Sequence, residues 1–550
     1  MIREFLNKIA NNTTYSVLFL AALSLFFFIG LGNTHLFDWD EINFAESARE
    51  MIVSNDYLRV QINFSPFWEK PPFFFWLQVG AMKLFGINEF AARFPNALFG
   101  FIYLLTFYFI GKKHFSAKLG LFWSIMYFGS FLPHLYFKSG IIDPVFNYFI
   151  FVSIYFMMRV INGTSDNVGK PAFLSGFFSG LSIITKGPVG FLLLGLTLFA
   201  YLLLNKFKPF PKLRFILIFL GAMTITISFW LSMEVAQNGL VILKQFWDYQ
   251  IELFNQPVAG HAQPFYYHFL VVLVGCFPIS IFALPYFRRI SHRLALDFRI
   301  WMLCLFWVVM ILFSISETKI IHYSSMTYIP LSFLASHYML NVSLKKETWK
   351  KYQTILFVFI GSIWGILLTV VPLIMVNKEL IFPYIKDKFA VDSLKTPIYW
   401  SGYEALIGVF FILGMIVTAL MINKKSIERG ILIIANTVSL SLLLVLFFVL
   451  PKIEGFTQGP VIAFYESLQG KDCYVESYGY KSYAQYYYFQ QPYGTSEKRK
   501  DFNWLLTGDI DKTVYLVTKS TNKSLDAHKN FNLIKKVGGF RFYKRDFVLK

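Results

Sequence analysis

The stretch "LFDWDEINFAESAREMI", residues 36–52, places Asp38, Asp40 and Glu41 within four residues of one another. It follows an apolar run over residues 16–32 that is long enough to enter a bilayer. Carboxylates are costly in a low-dielectric setting and sit where water or chemistry justifies them. Two uses fit: a solvated loop opening into a helix, whose N-terminus favours acids, or a general base for a hydroxyl. Lys70, in "WEKPPFFFW", shares this loop, either as a snorkelling side chain or as a donor to an anionic group. Further along come Asp143 in "GIIDPVF", Lys186 in "TKGPVG", His261 in "GHAQPFYYH", and Lys319 and Tyr323 in "SETKIIHY". Asp143 before Pro144 also suits a cap or turn, and Lys186 with its glycines either binds an anion or turns two helices. Together these are two acidic centres and several cationic or phenolic donors, the composition of a site that handles a lipid phosphate. Lysines supply point charges to a phosphate, and fixed cations stabilise a departing oxygen. On that chemistry Asp40 is the base and Lys70 holds the phosphate.

Such residues act together only if the chain brings them to one face. The sequence has 550 residues, 56% hydrophobic and only 15% charged, a composition that excludes a soluble globular protein. Apolar runs predict thirteen membrane spans, near 14–33, 90–110, 118–134, 140–159, 171–185, 187–205, 213–233, 266–287, 298–316, 324–341, 353–376, 402–422 and 430–450. The two between 171 and 205 are short, so eleven or twelve also fit. The net charge of +19 lies largely in clusters at every second connector, such as Lys112 with Lys113, Lys206 with Lys208, and Lys424 with Lys425. Alternation of this kind reads as the positive-inside rule rather than as nucleic-acid binding. It puts the N-terminus in the cytoplasm, and on the opposite, periplasmic face the 34–89 loop, the later polar motifs and the C-terminal tail. The N-terminal run lacks a small-residue cleavage site and reads as a retained first span. Within the first loop, "EINFAESAREMI" reads as an interfacial amphipathic helix, and a second helix follows Pro71 and Pro72. The expected organisation is a membrane domain over 1–451 and a small α/β domain over 452–550, with strand-like runs "DCYVESYGY", "TVYLVTK" and "GGFRFYKRD". Three separated cysteines, Cys276, Cys304 and Cys473, offer no disulfide framework or metal motif.

"DWDEINFAESAREM" resembles the first-loop motif of the protein O-mannosyltransferase and aminoarabinose transferase (ArnT-like) superfamily, membrane glycosyltransferases of the GT-C fold. The likeness continues in order through "WEKPPFFFW", "GIIDPVF", "TKGPVG", "HAQPFYYH" and "ETKIIHYSSMTYIP", over residues 1–340. The resemblance implies a polytopic α-helical GT-C fold and an inverting transfer from a polyprenyl-phosphate sugar, with no catalytic metal or other cofactor. It makes Asp40 the main catalytic carboxylate, Glu41 its partner and Asp143 a supporting aspartate. It sets Lys70, Lys319 and Tyr323 at the donor phosphate, and Glu69, Lys186 and His261 in support. Partners implied are an undecaprenyl-phosphate-linked sugar, membrane lipids and a lipid, glycan or protein acceptor at the periplasmic face. The chain departs from the aminoarabinose branch at Asn43, where that branch carries an arginine, so it lacks a bidentate partner for an anionic group. Protein O-glycosylation is the alternative within the fold. A transporter or flippase would bury charges at mid-span, whereas an assembly protein would use the C-terminal domain for binding.

Overall fold

In the computed structural model the described residues are 2–163, 168–241, 244–246, 248, 251, 263–287 and 298–547. The chain is a helical, polytopic membrane protein. Seven of the described helices are long and apolar enough to cross a membrane, or nine if each of two sharply bent pairs counts as one span. The four other predicted spans correspond to Ala117–Phe128, Gly169–Lys186, Val189–Leu204 and Tyr328–Ser343, helices of 12 to 18 residues. Aromatic side chains fill the spaces between helices. The Phe107 and Trp123 rings stack at 4.4 Å, and those of Tyr201 and Trp301 at 4.3 Å, geometries that add to the area they bury.

The first loop holds two helices, Asp40–Ser54 and Phe73–Phe85, joined across a two-residue hairpin of β1 (Gln61–Ile62) and β2 (Ser65–Pro66). Pro72 caps the second helix, as the Pro-Pro pair predicts. The first differs from expectation: every residue from Glu41 to Met51 is buried, so it does not present a polar face to water. The C-terminal segment covers that face. Arg49 forms a buried pair with Glu46 and donates to the Gln491 carbonyl at 3.1 Å, while Glu50 accepts from the Phe64 N–H at 2.8 Å. The 3.6-residue period marks one buried side and carries no record of what covers the other.

The C-terminal sheet runs β3 (Cys473–Ser477), β4 (Thr513–Lys519), β6 (Phe540–Arg545), β5 (Asn532–Val537) in spatial order. β3 and β4 are parallel, and the other pairs are antiparallel. Three strands coincide with the predicted runs. β5, "NLIKKV", was not among them; it is an edge strand exposed at nearly every position, so it lacks the alternation that marks a half-buried strand. Tyr474, Leu505, Val514, Leu516 and Tyr543 build a small core of its own.

Candidate active site

Asp40 opens its helix, and its side chain keeps 43% of its exposure. Asp143 opens another, Asp143–Asn162, with Pro144 in the first turn, but its side chain is only 5% exposed. Acids at these positions face the positive ends of helix dipoles. Lys186 ends the Gly169–Lys186 helix, where the dipole favours a cation. Gly187 follows with φ +111°, a conformation that only glycine adopts readily, and stops the helix there. Lys186 Nζ then donates to Asp143 Oδ1 at 2.6 Å. Its ammonium also lies over the Tyr323 ring, 5.5 Å from the centroid.

His322, in the turn Ile321–Thr327, stands between the two aspartates. Its Nε2 is 3.8 Å from Asp40 Oδ2 and 3.9 Å from Asp143 Oδ2. Burial pushes the imidazole below its usual range, opposed by the charge of Asp143 and favoured by that of Lys186. Lys70 shares this electrostatic environment. Burial lowers its ammonium, Lys186 lowers it further, and Glu69, Asp40 and Asp143 pull it back up. Burial and the charges of Asp143, Asp40 and Glu69 raise the Tyr323 phenol, which keeps it protonated as a donor.

The structure thus gathers Asp40, Asp143, Lys70, Lys186 and Tyr323 with Glu69 in range, and adds His322. Glu41 turns the other way. It is buried and accepts from Arg93 Nε and Nη2 at 3.0 and 2.8 Å, from the Phe37 N–H at 3.0 Å and from the Gly140 N–H at 2.5 Å. Arg93 completes the knot by donating to the carbonyls of Leu31, Thr34 and His35. Lys319 Nζ donates to the Ser316 carbonyl at 2.6 Å and forms no ion pair among the described residues. His261 lies outside the described residues. His322 and Arg93 were missed in the sequence although both had a signal: His322 adjoins Tyr323 in one motif, and Arg93 is an ionisable residue in a predicted span, which calls for a partner.

The C-terminal segment grips the acidic motif itself. Asp38 accepts from Ser482 Oγ and from the Tyr483 N–H, and Gln458 Nε2 donates to the Leu36 carbonyl at 2.7 Å. His35 bonds Glu454 and lies 3.5 Å from Glu466.

Apolar helices surrounding two carboxylates, two lysines and a histidine define a membrane protein with a polar cluster at the ends of its helices. Residues 69–232 match the family of dolichyl-phosphate-mannose-protein mannosyltransferases. The undecaprenyl phosphate-alpha-4-amino-4-deoxy-L-arabinose arabinosyl transferase of Wigglesworthia glossinidia brevipalpis is 25% identical over 365 residues, which span 65% of this chain and 64% of that protein. An uncharacterised protein of Aquifex aeolicus is 30% identical over 331 residues, 58% of this chain and 73% of its own length. The fold superimposes on the crystal structure of ArnT from Cupriavidus metallidurans bound to undecaprenyl phosphate with a TM-score of 0.79, at 17% identity, over 97% of this chain and 98% of that one. The chain belongs to the ArnT-like GT-C membrane glycosyltransferases of the protein O-mannosyltransferase superfamily.

Proposed function

We propose that this protein is an inverting glycosyltransferase that moves one sugar from undecaprenyl phosphate to a lipid or other cell-envelope acceptor at the periplasmic face of the inner membrane. The observation that carries the reading is the exposed Asp40 side chain held beside buried Asp143 and half-buried Lys186 and His322. Asp40 takes the proton of the acceptor hydroxyl as its oxygen bonds to the anomeric carbon. The bond from that carbon to the phosphate oxygen breaks on the opposite side, inverting the centre, and the electron pair leaves with undecaprenyl phosphate. Lys70 and Lys186, with the Tyr323 hydroxyl, meet the charge that develops there. Asp143 fixes Lys186 by its 2.6 Å bond, and Lys319 serves from its turn beside Tyr323. Glu41 is a positioning residue: it anchors the start of the Asp40–Ser54 helix to Arg93. Residues 452–550 form the periplasmic α/β domain over the first loop, with the N-terminus cytoplasmic.

The protein mannosyltransferase match over residues 69–232 favours a serine or threonine hydroxyl as the second acceptor reading. Asn43, which replaces the arginine of the aminoarabinose branch, is 4% exposed and leaves its Oδ1 without a partner among the described residues, so it offers no cation to an anionic acceptor. The test is transfer of labelled sugar from a panel of undecaprenyl-phosphate sugars by membranes containing the wild-type protein or Asp40→Asn. Asp40→Asn abolishes transfer with unchanged expression and insertion, and the labelled fraction, lipid or protein, chooses the acceptor. Retained transfer sinks the assignment of Asp40.

A further inference from the structure

A second cavity, of about 350 Å³, lies between the C-terminal segment and the first loop. Its volume is in the range of small-molecule sites. Its walls include Asn63, Tyr480, Lys481, Tyr483, Gln485 and Arg499, none of which the transfer chemistry uses. Two of these side chains are almost wholly buried and yet incompletely bonded. Gln485, 2% exposed, has no donor for Oε1, and Arg499, 1% exposed, has no acceptor for Nε, among the described residues. Their other atoms are engaged: Gln485 Nε2 donates to the Ser482 carbonyl at 3.1 Å, and Arg499 donates to Glu476 Oε1 at 2.8 Å and to Asn63 Oδ1. A buried polar group left without a partner is destabilising, so a ligand atom that meets it is favoured. Two residues of the lining thus lack, between them, one donor and one acceptor. A hydroxyl is the group that supplies both.

The remaining walls suit a ring that carries hydroxyls. Tyr480, Tyr483 and Tyr486 offer aromatic bodies with polar tips. Lys481 is exposed, with its ammonium 4.7 Å from the Trp39 ring centroid and 5.5 Å from that of Tyr483. Those same residues tie the cavity to the reaction site. Trp39 directly precedes Asp40, its ring meets that of Tyr483 edge-on at 5.9 Å, and Ser482 and Tyr483 hold Asp38 on its other side. Phe502 is the one purely apolar side chain in the lining, and hydroxyl, amide and charged groups make up the rest, so the walls favour a polar ring over an apolar peptide anchor, and the peptide is an outcome of the test.

We propose that this cavity binds the saccharide part of the acceptor and presents one of its hydroxyls toward Asp40. The proposal rests on the glycosyltransferase reading and deepens it. The test uses the full-length protein in lipid nanodiscs and saturation-transfer NMR. The probes are a panel of neutral, amino and phosphorylated hexose disaccharides, with a threonine-containing hexapeptide as comparison. At least one disaccharide binds saturably and more tightly than the peptide. Lys481→Ala, at an exposed position, and Gln485→Met, which removes the orphaned oxygen at similar volume, each weaken that binding at least about tenfold, or about 1.4 kcal/mol. The proposal is overturned if no disaccharide binds saturably, if binding survives both variants, or if the peptide binds in preference. Asp40→Asn is assayed in parallel for sugar transfer. Its retained activity would refute the glycosyltransferase reading, whereas loss of disaccharide binding in an otherwise active enzyme would not touch that reading.

Discussion

Glu41→Gln separates a carboxylate that acts in the chemistry from one that holds the chemistry in place. In the wild-type protein Glu41 and Arg93 form an ion pair with side chains 7% and 3% exposed. Removing one charge from such a pair leaves the other buried and uncompensated, at about 3–5 kcal/mol. Arg93 retains three carbonyl acceptors, at 2.7, 2.8 and 2.9 Å, which sets the expected loss at the lower end, about 3 kcal/mol. The new amide also turns an NH₂ toward the donors of Arg93, Phe37 or Gly140, where the carboxylate had only acceptors. Thermal and denaturant unfolding in detergent measures the first effect, and sugar transfer well below the midpoint measures the second. With the fold retained, the start of the Asp40–Ser54 helix shifts, and transfer falls by about 10- to 100-fold rather than to zero. The double variant Glu41→Leu/Arg93→Met leaves no stranded charge, but it orphans the Phe37 and Gly140 N–H groups and the carbonyls of Leu31, Thr34 and His35, so it does not recover the wild-type stability. If Glu41→Gln unfolds like wild type and still transfers no sugar, Glu41 takes part in the reaction and the positioning argument fails.

Three further outcomes follow from the same geometry. Lys70, lowered chiefly by burial, gives up its proton at a lower pH than a free lysine; donor kcat/KM therefore declines on the alkaline side before the ordinary lysine range. Lys70→Arg moves that decline upward because a guanidinium stays charged, and coincident pH profiles would remove Lys70 from the donor site. Exchanging Asp143 and Lys186 as Asp143→Lys/Lys186→Asp re-forms the pair but sets both charges against their helix dipoles, so it restores only part of the thermal stability that either single variant loses, and no transfer; recovered transfer would show that only the pair matters. For His35, burial lowers the pKa, but the bond and charge of Glu454, with the charges of Glu466 and Glu89, outweigh it and leave the imidazole raised. A raised histidine stabilises fully below its unfolded value, near 6.5, and that contribution fades as pH rises through the folded value. The protection factors of the amides of residues 36–40, exchange rates corrected for their intrinsic rise with pH, accordingly fall over that window in the wild-type protein and not in His35→Gln, and pH-independent wild-type protection contradicts the clamp.

What the sequence disclosed follows from where its signals are local. Asp40, Asp143 and Lys186 are legible because each ends a helix at a glycine, a proline or the edge of an apolar run, and those breaks are written in neighbouring residues. The same holds for β4 and β6, whose patterns are internal. Glu41 reads as a twin of Asp40 because adjacency hides direction: successive residues on a helix point about 100° apart, and one faces the site while its neighbour faces Arg93. The cover over the Asp40–Ser54 helix is illegible for another reason. It comes from residues more than four hundred positions away, such as Gln491 against Arg49 and Ser482 against Asp38, and no periodicity within either segment records the encounter.

The contrast between the two aspartates also limits which of them accepts a proton. Asp143 is buried, and one of its oxygens is committed to Lys186; a proton placed on it would weaken that pair and free the cation that the proposed reaction sets at the phosphate. Asp40, with 43% of its side chain exposed, carries no such commitment, which is why the proposed reaction uses it as the base. Two carboxylates in unlike surroundings thereby take unlike roles. His322 enforces the separation. As a neutral ring it carries a single N–H, so Nε2 can donate to only one of the aspartates, which lie at nearly equal distances of 3.8 and 3.9 Å. A displacement of under about 1 Å brings either within hydrogen-bond range. Donation to one of them therefore excludes donation to the other. His322→Phe keeps a ring between the two aspartates and removes its polar group, and sugar transfer by that variant measures what the imidazole contributes.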